Sequence, residues 1–544
     1  MADPYHAIVV GGGHNGLVAG AYFAKAGART VVLEARNKVG GAVDTSAPFP
    51  DHPEIKVSTY SYVMSLMPAF IIEELGLQAH GYRVTPFGPY YQAFPDGRSI
   101  TIYGDDPAKT HASVAQFSTN DAETLPDYEA WIHGVTEVVG PLLHEVPPNV
   151  GSMTFGDLLS QTRALWSMRR LGSRGVADAT RLFTMSLSEL LDRWFESDQM
   201  KTIMMVDGLI GQWSGPDEPG SAYVLLHHAI GSVGGASHTV NWGYPQGGMG
   251  SVADSIRAAA VSFGCEIRTD ARVDRILVDD GRAVGVALAT GEELRAPIVV
   301  SCVHPQIAFL RLLEREQLPA EFVFDIERWK TRSGVVKINV AMRELPSFAA
   351  DPGTELQDHH TGSVELCLSR EYAERAFQDA HLAHRPAVAP FVDGAIPTTM
   401  DRELAPDGIH IFSMFSQWVP HEWSEAPHRE ELEAYADRAI DGYTELAPNF
   451  RDAVIDRQVI GPYDMEQELG LIGGNIFHGE LTVDQLFHMR PSPGYADYRT
   501  PIAGLYHGSS ATHAGGGVSG LPGWQAFRAA RADRRKRAVW LRSS

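Results

Sequence analysis

Hydrophobic residues fall along this chain in short runs whose period changes from segment to segment, and those changes mark its elements. Residues 6–10, His-Ala-Ile-Val-Val, form a β-branched run that predicts a short strand buried on both faces. Residues 17–26 then form a good helix former that stops at Gly27, and 29–34, Arg-Thr-Val-Val-Leu-Glu, predict a second buried strand with an acid at its end. Together they make a βαβ unit. Further along, 125–145, 187–195 and 252–260 show helical spacing, while 334–342 and 408–415 read as strands. Alternation in 273–278 and 283–288, broken at Asp279-Asp280-Gly281, predicts a hairpin, and 298–302 predicts another buried strand. Phe94-Pro95-Asp96-Gly97-Arg98 is a turn between extended runs. No internal repeat or low-complexity tract interrupts this order.

The chemistry of the first unit lies in its turn. Gly11-Gly12-Gly13-His14-Asn15-Gly16 joins strand to helix. In this G-x-G-x-x-G order Gly11 permits the tight turn, Gly13 admits the close approach of a pyrophosphate, and Gly16 lets helix and strand meet. The helix N-terminus adds free N–H groups and the positive end of a dipole. Glu34 stands 23 residues after Gly11, where a carboxylate accepts hydrogen bonds from ribose hydroxyls and disfavours a 2′-phosphate. A glycine-rich turn alone says little, but strand, helix and terminal acid together predict dinucleotide binding by Gly11, Gly13, His14, Asn15, Gly16, Glu34, Ala35 and Arg36.

Six residues after Glu34 comes Gly40-Gly41-Ala42, and this acid-to-paired-glycine spacing is the mark of FAD proteins of the glutathione-reductase and amine-oxidase type. On these motifs the chain resembles the phytoene desaturase (carotenoid oxidoreductase) and amine oxidase superfamily, and within it a desaturase-like group often described as pyridine nucleotide-disulphide oxidoreductase domain proteins. Tyr244-Pro245-Gln246-Gly247-Gly248-Met249 is similar to the P-x-G-G-M motif of phytoene desaturases. Residues 265–273 resemble the strand whose valine, here Val273, meets the adenine of FAD. Residues 504–518 resemble the C-terminal motif that closes over the flavin. The resemblance implies non-covalent FAD, held also by Gly40, Gly41, Ala42, Gly248, Met249, Val273, Ser509, Ser510, Gly516, Gly517 and Val518. Some positions depart from the family. Amine oxidases usually carry Arg where this chain has Ala42, and many carry a flavin-linking Cys near the C-terminus, whereas none lies beyond Cys367. The family's small Gly-x-Gly and its Pro are here Ser509-Ser510-Ala511 and Ala514. With no CxxC pair and no second G-x-G-x-x-G, a separate NAD domain is not supported.

Charge and composition narrow the classes. A formal charge of −22 argues against nucleic-acid partners, whose phosphates need a surplus of Lys and Arg. The 3 Cys are far apart in sequence, so neither a disulfide framework nor a zinc site is written here, and a reducing, cytoplasmic compartment fits best. Only 8 of the 45 basic Lys and Arg residues are Lys, a bias that points to a GC-rich bacterial source. No targeting segment is visible at the start, and no apolar run reaches the roughly 18 residues of a membrane span. The tail is different: residues 528–542 carry a net +6 beside Trp540 and Leu541. It reads either as a solvated helix end pairing with the acidic body or as a peripheral contact with an anionic membrane.

The motifs divide 544 residues into an α/β fold of two interleaved lobes. A Rossmann-like FAD-binding domain is expected from 1–75, 235–305 and 465–544, and a mixed α+β substrate-binding domain from 76–234 and 306–464. Family members use the second lobe to cover the substrate, and Tyr60 and Tyr62 are expected in a largely apolar tunnel wall. The resemblance implies hydride transfer from an aliphatic C–H of a hydrophobic, isoprenoid- or polyene-like substrate to flavin N5, with oxygen, a quinone or another acceptor taking the electrons. His513, inside the closing motif, and His478 are the candidate proton acceptors; the alternative is that both hydrogen-bond backbone or flavin carbonyls. A flavin amine or alcohol oxidase, or a non-redox protein of the carotenoid-isomerase or escort type, remains open on the same fold.

Overall fold

The computed structural model of the protein describes residues 5–540 apart from 151–152, 154–156, 160, 163–165, 167–168, 170–171, 232, 234–241 and 514. Ala514, Leu541 and Arg542 therefore lie outside the described residues, as do the side chains of the tail from Arg535 onward. Five short strands form a parallel sheet in the order Leu505–His507, Val299–Ser301, Ala7–Val10, Thr30–Leu33 and Glu266–Arg268. Strand alternation explains their unbroken apolar runs. Ala7, Val9, Val32 and Val300 turn to one face, where the helices His14–Lys25, Met249–Ser262 and Leu521–Trp540 pack. Ile8, Val10, Val31 and Val299 turn to the other, against a three-stranded antiparallel meander, Val273–Asp279, Arg282–Leu288 and Glu293–Arg295.

A second, seven-stranded sheet runs Val454–Ile460, Val335–Met342, His410–Gln417, Phe391–Ala395, Ser363–Leu366, Tyr90–Ala93 and Ser99–Ile102, antiparallel except where Ser363–Leu366 meets Tyr90–Ala93. Its two faces differ in kind. Val336, Ile338, Val340, Phe412 and Met414 belong to an apolar cluster shared with Tyr435, Ile440 and Tyr443 of the helix Arg429–Leu446. The alternate positions in register are Lys337, Asn339, Ser413, Phe415, Asp393, Glu365 and Ser363, a polar face that is nevertheless buried. The whole is an α/β fold, a Rossmann-like FAD-binding domain of glutathione-reductase type with a mixed α+β domain interleaved in sequence.

One expectation changes. Residues 265–273 do not form one strand: Glu266–Arg268 joins the parallel sheet, Asp270 turns the chain at φ 51°, and Val273 opens the meander. An ion pair ties the start of the tail to the body. The helix supplies the acid, Asp533, which accepts from Arg499 at 2.7 Å and from the Tyr506 hydroxyl at 3.1 Å. Phe527 of the same helix stacks on Tyr22 at 5.6 Å and meets Phe23 edge-on at 5.1 Å. Among the described residues no helix is long and apolar enough to cross a membrane.

The first turn gives a stability test. A Cβ at Gly16 would stand 1.9 Å from the Gly11 carbonyl oxygen, and backbone cannot yield there. Gly134, exposed inside the helix Thr119–His144, has no atom within 4 Å of that position. Gly16→Ala should destabilise by about 3 kcal/mol or more, whereas Gly134→Ala should stabilise by about 0.5–1 kcal/mol; thermal unfolding of the two variants reads both signs.

Candidate functional site

A cavity of about 650 Å³ opens at the carboxyl ends of the parallel strands and extends onto the polar face of the seven-stranded sheet. Ligands of open α/β sheets bind at such strand ends. Gly11, Gly13, His14 and Asn15 line it from the first turn, Glu34, Ala35 and Arg36 from the end of the second strand, and Cys302 and His304 from the end of a third. Gly11 adopts φ 97°, a conformation that favours glycine, and its N–H donates to the Leu33 carbonyl at 2.8 Å. The paired glycines close onto this loop. Gly40 donates to the Gly12 carbonyl at 2.8 Å, and a Cβ on Gly41 would stand 3.3 Å from the Gly13 Cα.

The residues fit a dinucleotide. Gly13 has φ −65°, which any residue adopts, and among the described residues no atom beyond its chain neighbours lies within 4 Å of where its Cβ would be. That open space lies at the N-terminus of His14–Lys25, where backbone N–H groups and the helix dipole favour a phosphate. His14 Nε2 and Asn15 Oδ1, in the first helical turn, are buried without a partner among the described residues, as expected of groups a ligand completes. The Glu34 carboxylate accepts the N–H groups of Gly12 at 2.7 Å and Arg36 at 2.9 Å and lines the cavity where ribose hydroxyls are expected. Ala42, Val273, Ser510, Gly517 and Val518 complete the lining, and Asn15 ties the first turn to the closing motif by donating to Ser510 Oγ at 3.1 Å.

Other expected contacts sit behind this surface. Gly16 provides the helix–strand contact described above. Gly248 and Met249 do not line the cavity; the N–H groups of Met249 and Gly250 are taken by Ser58 Oγ at 3.0 Å and Thr45 Oγ1 at 2.8 Å, which cap the helix. Ser509 Oγ meets His507 Nε2 at 2.9 Å and receives the Ala511 N–H, so it braces its own turn. Gly516 gives its carbonyl to His227 Nε2 at 3.2 Å and packs on Phe477, whose ring carbon would stand 2.2 Å from a Cβ there. His513 is turned away from the cavity, with Nε2 donating to the Leu142 carbonyl at 2.9 Å. His478 does line it, but burial pushes its imidazole down to about 3, which makes it a weak proton acceptor at neutral pH. Tyr60 and Tyr62 both line it, their hydroxyls bound to Glu468 and Asp393.

Two groups escaped the sequence reading. Arg490 is fully buried and donates to the main-chain carbonyls of Phe477, Gly479, Glu480, Gln485, Ser510 and Thr512. One guanidinium thus fastens the 477–485 loop to the flavin-closing motif; no local pattern marks it. Lys337 lines the cavity, is 1% exposed, and donates to Asn339 and to Ser413 Oγ at 2.7 Å. Burial pushes its ammonium down to about 7. Its signal was present: Lys337 and Asn339 are two polar residues at i and i+2 in an otherwise apolar strand, hence on one face.

Fold and cradle define an FAD-dependent oxidoreductase. The family described as flavin containing amine oxidoreductase matches residues 16–396, and the chain belongs to that family. It is similar to "Pyridine nucleotide-disulfide oxidoreductase domain-containing protein 2" of Rattus norvegicus, at 38% identity over 96% of this chain and 92% of that one. It is also similar to a component of limonene dehydrogenase from Castellaniella defragrans, at 25% identity over 97% and 94%. Among solved structures an oxidoreductase from Methanosarcina mazei superposes with a TM-score of 0.58 at 16% identity, covering 97% of this chain and 100% of that one, a likeness of fold. The similarity to a rodent protein at 38% identity gives the bacterial source expected from composition no support. FAD is the cofactor these comparisons and the cradle share.

Loss of the Glu34 carboxylate tests the ribose end. In Glu34→Gln one of two backbone N–H groups loses its acceptor, at about 1–3 kcal/mol. FAD affinity should fall about tenfold or more, read by quenching of flavin fluorescence on titration.

Proposed function

We propose that the protein is an FAD-dependent dehydrogenase or desaturase acting on a C–C bond of a hydrophobic, isoprenoid- or polyene-like substrate. The observation that carries this reading is the wall beyond the cradle, where Tyr62, Ile210, Trp242, Phe415, Met465 and Ile476 line one continuous cavity with the cofactor residues. Such a wall excludes water and holds a hydrocarbon by area rather than by polar contacts. Likeness over nearly the full chain to a protein named for limonene supports it, and Ala42 departs from the arginine usual in amine oxidases. When FAD is bound, the hydride acceptor is its flavin ring, with oxygen or a quinone as the final oxidant.

The proton that leaves with the hydride needs an acceptor. Lys337 serves better than either histidine, because its side chain lines the cavity and burial has brought it into the range where it gains and loses a proton near neutrality. The sign follows from the depressed value: below about 7 the side chain is an ammonium and cannot accept, and above it a free amine can. Flavin bleaching under anaerobic mixing with a polyene or isoprenoid should therefore accelerate as pH rises through about 7. Lys337→Met should remove that dependence and slow bleaching by about 10²-fold or more. A panel of hydrocarbons, alcohols and amines decides the class: bleaching by amines alone, with hydrogen peroxide matching the amine consumed in air, replaces this reading with an amine oxidase.

A further inference from the structure

Two buried carboxyl groups and a third, partly buried one stand behind the Lys337 floor. Asp393 and Glu365 face the same side of the sheet as Lys337, and Asp207 reaches in from the helix Asp198–Leu209. Ser363 Oγ lies 2.6 Å from Asp393 Oδ1 and is also hydrogen-bonded to Glu365 Oε1. A hydroxyl carries one proton for these two carboxyls and the Gly394 carbonyl at 3.4 Å, so the contacts are best satisfied with one carboxyl protonated. The Tyr62 hydroxyl donates to the other oxygen of Asp393. Asp393 thus has two donors and suits the anion, while Glu365, whose Oε2 has no partner, suits the acid that donates to Ser363. Burial raises both carboxyls, Glu365 well above its ordinary value.

Tyr62 also spans the gap to Lys337. Phe415 pairs with Lys337 on one side and Asp393 on the other, which separates their backbones by about 10 Å. The Lys337 ammonium lies 5.4 Å over the ring whose hydroxyl holds Asp393. Tyr90 and Trp242 donate to Asp207 at 3.1 and 3.2 Å, and burial pushes Asp207 up to about 7; burial likewise keeps His228 down at about 4. An amine taking a proton in this interior needs a counter-charge.

We propose that Asp393 is a positioning residue for Lys337, an anion held by Tyr62 and Ser363 with Glu365 kept protonated behind them, which lets Lys337 accept and keep a proton in the buried site. The inference deepens the reading in which Lys337 takes the substrate proton, and its test needs no substrate. The FAD-loaded protein is acetylated with trace acetic anhydride between about pH 5 and 9, and the Lys337 peptide is followed by mass spectrometry. The midpoint of its labelling should fall by about one pH unit or more in Asp393→Asn, because loss of a nearby anion disfavours the ammonium. Glu365→Gln, whose amide still donates to Ser363, should stay close to wild type. Should Asp393→Asn fail to fold or load FAD, Tyr62→Phe carries the test, with a smaller shift in the same direction. A purely structural Asp393 lowers thermal stability and leaves the midpoint where it was. An unchanged or raised midpoint in these variants, a Glu365→Gln midpoint as low as that of Asp393→Asn, or a Lys337 unlabelled at every pH overturns the proposal.

Discussion

The cofactor cradle rests on main chain meeting main chain with no side chain between. A Cβ at Gly16 would stand 1.9 Å from the Gly11 oxygen, at Gly523 2.0 Å from the Asn15 oxygen, and at Gly41 3.3 Å from the Gly13 Cα. These contacts bring the first turn, the paired-glycine loop and the C-terminal helix onto one another, although more than 500 residues of sequence separate the first from the last. Close-packed interiors transmit such constraints without relief. Everything the cavity presents to a dinucleotide follows, because the helix N-terminus, Glu34 and the closing motif are placed by that contact. Arg490 completes the arrangement from the other side, where six carbonyl oxygens converge on one buried cation.

The seven-stranded sheet sets the chemistry beyond the cradle through the two faces every strand has. One face meets helices and is apolar. The other reaches the cavity at Lys337 and Phe415 and collects Asn339, Ser413, Asp393, Glu365 and Ser363 behind them at alternate positions in register. The expected apolar tunnel is therefore an aromatic and aliphatic wall over an ionisable floor. Isolated charges are costly in such a place, so the groups are linked by hydrogen bonds and several are held neutral.

Much of the fold was legible because its signals are local. The βαβ unit, the hairpin at 273–288, the helix through 125–144 and the strands at 334–342 and 408–415 all appear, with ends moved by a few residues. Hydrophobic period and glycine placement report backbone geometry within a turn or two, which is also why Gly11, Gly13 and Glu34 could be assigned to a cradle. The reading of 265–273 as one strand failed at Asp270, whose left-handed conformation leaves little trace in composition.

What the sequence by itself determined was the dinucleotide site and the class of fold, since strand, turn, helix and terminal acid are written within some thirty consecutive residues. Tertiary structure alone decided which groups face the reacting end. His513 lies inside the flavin-closing motif yet turns to Leu142, whereas sheet register sets Lys337 in the cavity floor and Asp393 behind it. Motifs describe neighbours along the chain; a buried proton acceptor and its counter-charge are neighbours only across strands, and no local pattern carries the register that brings them together.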